Sequence, residues 1–210
     1  MDTFTKSFLL LFVLLNPFIL SVYLLTLIRE LDTRALTHQL LRAGLISFTI
    51  FILFAWAGNS VFEDVLQVRF SSFLIFGGVT FLVIGLRLIL GIGPPVETLR
   101  PHSDEVSATI AMPFIVGPGT ISASVIAGSR LPWISACAVI ALALLLTIVA
   151  VLLIKLLHDF VRVRDERWVS RYAEVAGRVT ALFTGTFAIE MIFSGIERWL
   201  AHMGTGPGFM

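Results

Sequence analysis

Residues 7–28, between Lys6 and Arg29, include no charged side chain. At 1.5 Å per helical residue this run is long enough to cross a hydrocarbon core of roughly 30 Å. Further apolar runs follow at 43–62, at 70–86 (continuing past Arg87 to about 93), at 106–129, at 131–154 and at about 175–196. No water is available in lipid to satisfy backbone groups, so apolar spans of this kind fold as helices. The sequence therefore predicts an all-α, polytopic membrane protein with six transmembrane helices. Composition agrees, with 57% hydrophobic and 14% charged residues and a mean hydropathy of +0.96. Soluble domains carry roughly 25% charged residues. A signal peptide at the N-terminus would need a shorter apolar stretch followed by a small-residue cleavage site, so the first run reads as a retained span.

The net charge of +1 and the absence of a basic stripe interleaved with aromatics argue against a nucleic-acid partner. Cys137 has no second cysteine to pair with and reads as packing. No His/Cys cluster at metal-ligand spacing, nucleophile elbow or phosphate-binding glycine loop is present, so the expectation is no enzyme, no metal and no cofactor. His38, His102, His158 and His202 fall in loops or at span ends and read as solvated. Six spans put both termini on one side. Of the fifteen Lys and Arg residues, Lys6, Arg69, Arg130 and Arg198 share that side, and the rest, Lys155 among them, lie opposite. By the positive-inside rule both termini are expected outside the cytoplasm.

The two halves resemble each other. At a shift of 100, Gly77, Val79, Thr80, Leu82 and Gly85 meet Gly177, Val179, Thr180, Leu182 and Gly185. At a shift of 101, Pro17, Ser21 and Arg29 meet Pro118, Ser122 and Arg130. Three spans per half is an odd number, so the second half enters the membrane from the other side. This gives a first three-helix repeat at 1–93, a cytoplasmic loop at 94–105, a second, inverted repeat at 106–200 and a flexible tail at 201–210. Chance recurrence of Gly and Thr in membrane helices is the alternative. Gly77, Gly78, Gly85, Gly177 and Gly185 read as close-packing positions.

Helices one and four each carry a breaker near the centre: Asn16-Pro17 and Gly117-Pro118-Gly119-Thr120. Proline has no N–H for the carbonyl of Val13 or of Phe114, and glycine on both sides of Pro118 favours a true interruption. Each break starts a half-helix whose free N–H groups, at 18–20 and 119–121, suit a carboxylate. Freed carbonyls and the side chains of Asn16, Ser21, Thr120 and Ser122 suit an ammonium. An amino-acid zwitterion satisfies both, and paired breaks in inverted repeats are a transporter construction. Prolines that only bend packed helices are the alternative. Glu190 lies about 10 Å along helix six from Glu197. It is either a proton or substrate-amine site or a carboxylate reaching water at the rim. Trp133, Trp168 and Trp199 read as interfacial anchors, whereas Trp56 is expected to lie deeper.

Ala111-Met112-Pro113 followed by Gly117-Pro118-Gly119-Thr120-Ile121 closely resembles the signature of the MarC family, also called the small neutral amino acid transporter (SnatA) family. Asn16-Pro17, Phe76-Gly77-Gly78 and the 185–195 segment resemble it too. The resemblance implies a multi-pass protein of the bacterial inner membrane, some relatives of which are assigned transport of glycine, alanine and similar substrates. Ile19 and Val22 stand where the commoner pattern has a glycine and a second proline, and Glu190 stands where a glutamine is usual. The leading expectation is a secondary transporter or exporter of small neutral amino acids or related small metabolites, with the bilayer and the substrate as partners and room for a homo-oligomer. The competing one is a non-transporting membrane component in a stress or assembly role.

Overall fold

The computed structural model describes residues 2–58, 60–62, 67–90, 115–162 and 166–204. The 94–105 loop, the first part of helix four and the 205–210 end of the tail lie outside the described residues. The fold is all-helical. The first span is built from three pieces: α1 (Thr3–Leu15), α2 (Pro17–Tyr23) and α3 (Leu25–Glu30). Asn16 separates the first two, with a left-handed backbone (φ 38°, ψ 82°) that a short amide side chain tolerates better than most residues. Pro17 then takes the first helical position, where its missing N–H is no loss. At Leu24 the interruption is slight, since Leu24 donates to Leu20 O (2.9 Å) and Ile28 to Leu24 O (2.8 Å), which carries the ladder across.

The second span, α4 (Thr33–Ala57), starts ten residues before the uncharged run expected at 43–62. Asp32 caps it, accepting from the Ala35 N–H at 3.2 Å, and Leu36 and Leu40 bury one face while Arg34 and Arg42 stay exposed. A helix can thus begin in the polar interface before its apolar portion. Gly58, at φ 57°, ends it early. Trp56 lies one residue from the end of α4 and is 74% exposed.

Three more helices follow in the expected order. They are α5 (Phe70–Ile89), α6 (Pro118–Arg130) and α7 (Trp133–Arg162), and the last element is α8 (Glu166–Gly204). Helices α4, α5 and α7 are long and apolar enough to cross a membrane, and α1 is a shorter apolar helix. Residues 155–162, beyond the apolar run expected at 131–154, are helical. Lys155 and His158 are buried there, 4% and 9% exposed, so His158 is not the solvated side chain expected from sequence. Helix α8 has 39 residues, about 58 Å, nearly twice the hydrocarbon thickness. Its charge-bearing first third, with Glu166, Arg167, Arg171, Glu174 and Arg178, accounts for the excess. At the other end it continues through Gly204, into the stretch expected to be a tail.

Helices α5 and α8 pack antiparallel through small residues seven apart. A Cβ on Gly78 would sit 2.7 Å from Ala188 O, one on Gly85 3.3 Å from Ala181 O, and one on Gly195 2.9 Å from Ser71 O. Ser71, Gly78 and Gly85 thus face Gly195, Ala188 and Ala181 in one narrow seam, the contact that membrane helices make where lipid offers no hydrophobic drive. Elsewhere α1 packs on α7 and α4 on α6, while α4 meets α7 and α1 meets α6. Leu11, Leu27, Ile28, Leu36, Phe51 and Ile140 fill the centre with no exposure at all. The outside carries large apolar side chains such as Leu45, Phe76, Ile134 and Phe160, a surface that only lipid covers favourably.

Candidate functional site

The first expected break is present, and at the second α6 starts at Pro118, while the part of helix four before Ile115 lies outside the described residues. On the first span the Asn16 N–H donates to Phe12 O (3.2 Å), closing α1, and its carbonyl accepts from Leu20 (3.1 Å), opening α2. The free N–H groups at this break are consequently Phe18 and Ile19, which have no acceptor within their own half-helix; Leu20, expected with them, is taken. Pro17 is buried and Asn16 half-buried. Ser21 is buried as well, and its hydroxyl donates to Phe18 O at 2.7 Å.

The second break is made by Ile115 to Gly117. Gly117 is extended (φ −117°, ψ 169°), Pro118 starts α6, and Ile121 donates to Gly117 O at 2.9 Å. That leaves Gly119 and Thr120 N–H without an acceptor inside the helix and removes Ile121 from the expected set. Thr120, 2% exposed, mends much of the break by itself. Its Oγ1 accepts from the Gly117 N–H at 2.9 Å and lies 2.9 Å from both Ile115 O and Gly117 O, to which its single proton can be donated. The hydroxyl is thus committed to backbone, and what Thr120 can offer a ligand is its amide. The carbonyl of Phe114, expected to be freed, lies outside the described residues.

Helix α6 is buried all round from Gly119 to Val125, Ser122 included. Its amino end is enclosed by three other helices. Around a Cβ placed on Gly119, Met191 Sδ of α8 would lie at 3.2 Å, and Leu14 Cδ2 of α1 and Phe81 Cε2 of α5 at 3.5 Å each. Leu14 precedes Asn16 by two residues, so the two breaks are neighbours. Beneath them Pro118 packs onto bare backbone, since a Cβ on Gly77 would come within 2.1 Å of Pro118 Cβ. Gly77 is thereby bound to this site as well as to helix packing.

Glu190 is not part of this cluster. It is exposed on α8, whereas its neighbour Met191 is buried against Gly119 and Gly77. Sequence reasoning missed Leu14, Phe81 and Met191, since nothing marks one apolar residue among many in a membrane helix. It also missed Gly128, whose Cβ would lie 2.0 Å from Ala55 O and which brings α6 against the backbone of α4. Among the described residues no three His, Cys, Asp or Glu side chains gather to hold a metal.

The family profile of the MarC family integral membrane proteins matches residues 1–200. Similar curated proteins are UPF0056 membrane proteins of Pyrococcus horikoshii (27% identical over 57% of this chain and 60% of that one), Archaeoglobus fulgidus (26%, over 77% of each) and Aquifex aeolicus (22%, over 95% and 94%). The chain thus spans less than two thirds of the Pyrococcus protein's length. No solved structure matches.

Proposed function

The chain belongs to the MarC family of integral membrane proteins, and on that premise we propose that it is a secondary transporter or exporter of small neutral amino acids or related small metabolites, working by alternating access around the two breaks. The observation that carries this reading is the adjacency of two interrupted helices deep in an apolar bundle. Asn16-Pro17 divides two helical pieces, Gly117-Pro118 starts α6, and Leu14 reaches Gly119. Interruptions among lipid-facing helices persist where something polar uses them. The amides of Phe18, Ile19, Gly119 and Thr120 would hold a carboxylate. Ammonium would meet the carbonyls and the side chains of Asn16, Ser21 and Ser122. Glu190, facing outward, serves proton or amine binding only if α8 turns.

The inverted repeat supports the same reading. Under the shift of 100, Gly85 and Gly185 exchange, and they meet at the α5/α8 crossing, where a Cβ on Gly85 would lie 3.3 Å from Gly185 N. The pairings α2 with α7 and α6 with α4 exchange likewise. Two such halves, 1–93 and 106–200, can open alternately to each face. The chain is then a non-enzymatic carrier of the bacterial inner membrane, with both termini outside the cytoplasm. The competing reading is a membrane component that moves nothing, and Thr120 favours it by satisfying its own break. Uptake of labelled glycine and alanine by proteoliposomes separates the two. Gly119→Val, which fills the space between Leu14, Phe81 and Met191, abolishes uptake at an unchanged yield of folded protein if the site is used; full uptake in that variant removes the site from the mechanism.

A further inference from the structure

The buried Lys155 lies away from the breaks, toward the far end of α7, and links the two halves of the chain. Its Nζ donates to Ile28 O at 2.7 Å, across a sequence separation of 127 residues, and to Asp159 Oδ1 at 2.9 Å on its own helix. Ile28 belongs to the last turn of α3, whose final carbonyls have no partner in the helix. The Leu31 N–H takes Leu27 O (2.9 Å), and the lysine takes Ile28 O. A cation at that position also faces the negative end of the helix dipole.

In the other half the closure between α6 and α4 is of a different kind. Gly128 and Ala55 touch backbone to backbone, a Cβ on Gly128 lying 2.0 Å from Ala55 O. One end of the bundle is therefore closed by packed main chain. The other is closed by one long, charged side chain.

We propose that Lys155 is the latch on that second end: the tie to Ile28 holds the first span against α7 in the conformation described here, and releasing it opens the side of the membrane where α3 turns into α4. This rests on the alternating-access reading above. The geometry supplies what a releasable tie needs. Asp159, one turn along the same helix and 41% exposed, stays with the ammonium when Ile28 moves away, so the charge is never left unpaired. His158 Nδ1, 3.4 Å from the same carboxylate oxygen, holds it in place. On α4, which packs against α7, the side-chain oxygen of Gln39 is buried with no hydrogen-bond partner.

The test is a distance across the latched end, measured by pulsed electron spin resonance on the full chain in liposomes. Spin labels go on Thr33→Cys and Leu157→Cys, both exposed positions, in a Cys137→Ala background. With Lys155 present one short distance dominates and any longer one is a minor fraction, on the order of a tenth or less. Lys155→Met raises the longer-distance fraction about tenfold or more relative to the short one, and Lys155→Arg, which keeps a charged donor, restores the original distribution. Lys155→Gln, shorter and uncharged, gives the same opening and serves where the methionine variant does not reconstitute. Distributions in the methionine and glutamine variants that superimpose on the wild type overturn the latch. Amino-acid uptake by the wild type is scored separately. Opening in the variants without any wild-type uptake leaves the latch standing and removes the transport reading, whereas uptake with unaltered distances does the reverse.

Discussion

Gly128→Ala tests the close crossing of α6 and α4. The added Cβ would lie 2.0 Å from Ala55 O, 2.7 Å from its carbonyl carbon and 2.9 Å from its Cα. All three are main-chain atoms, so no rotamer change relieves the contact, and α6 must move away from α4 by about an ångström or more to reach ordinary van der Waals distance. Overpacking of this kind costs about 1–3 kcal/mol, and a backbone obstacle puts it at the upper end. Replacing a mid-helix glycine by alanine returns about 0.5–1 kcal/mol of helix propensity. The net is about 2 kcal/mol of destabilisation, or a fall in Tm of about 4–8 °C for a chain of this size. Gly185→Ala is the matched control, because a Cβ there meets nothing within 4 Å, and its expected Tm is equal to or slightly above the wild type. Thermal unfolding in detergent, followed by tryptophan fluorescence, reads both. A Gly128→Ala protein as stable as the wild type would refute the assigned contact between α6 and α4.

Two further predictions concern the breaks. Thr120→Val leaves the Gly117 N–H and the Ile115 carbonyl without their shared hydroxyl and lowers stability by about 1–3 kcal/mol, while Thr120→Ser keeps most of it; thermal unfolding of the pair distinguishes them. Asn16→Ala places a Cβ-bearing residue without a helpful amide in a left-handed conformation and costs about 1 kcal/mol, whereas Asn16→Gly is near neutral; equality of the two variants by chemical denaturation would show that the positive φ is not what the asparagine supplies.

The apolar helices and the two proline-started pieces, α2 and α6, were legible in the sequence because each follows from a single physical demand. Hydrocarbon requires long uncharged runs, and Pro17 and Pro118 lack the N–H that a continuous ladder needs. Span ends were harder to read. Asp32 and Gly58 set the limits of α4 through a cap and a positive φ, neither of which tracks hydropathy. The burial of Lys155 and His158 was not legible for a related reason. A charged residue at the end of an apolar run looks solvated unless its acceptor is known, and the acceptor here is the carbonyl of Ile28 on another span. The walls of the site, Leu14, Phe81 and Met191, come from three helices and carry no local mark. The glycines facing them do, since Gly77 and Gly119 exist to let Pro118 and Met191 approach.

Transport requires that the meeting point of Asn16-Pro17 and Gly117-Pro118 be a place where a small zwitterion binds. Calorimetric titration of the purified full chain with glycine and with alanine measures that directly, with Gly119→Val as the comparison. Saturable binding of at least one of them by the wild type, lost in the variant while its unfolding temperature holds, is the predicted result. Heats of dilution alone from both amino acids, or binding that the valine leaves untouched, would contradict it.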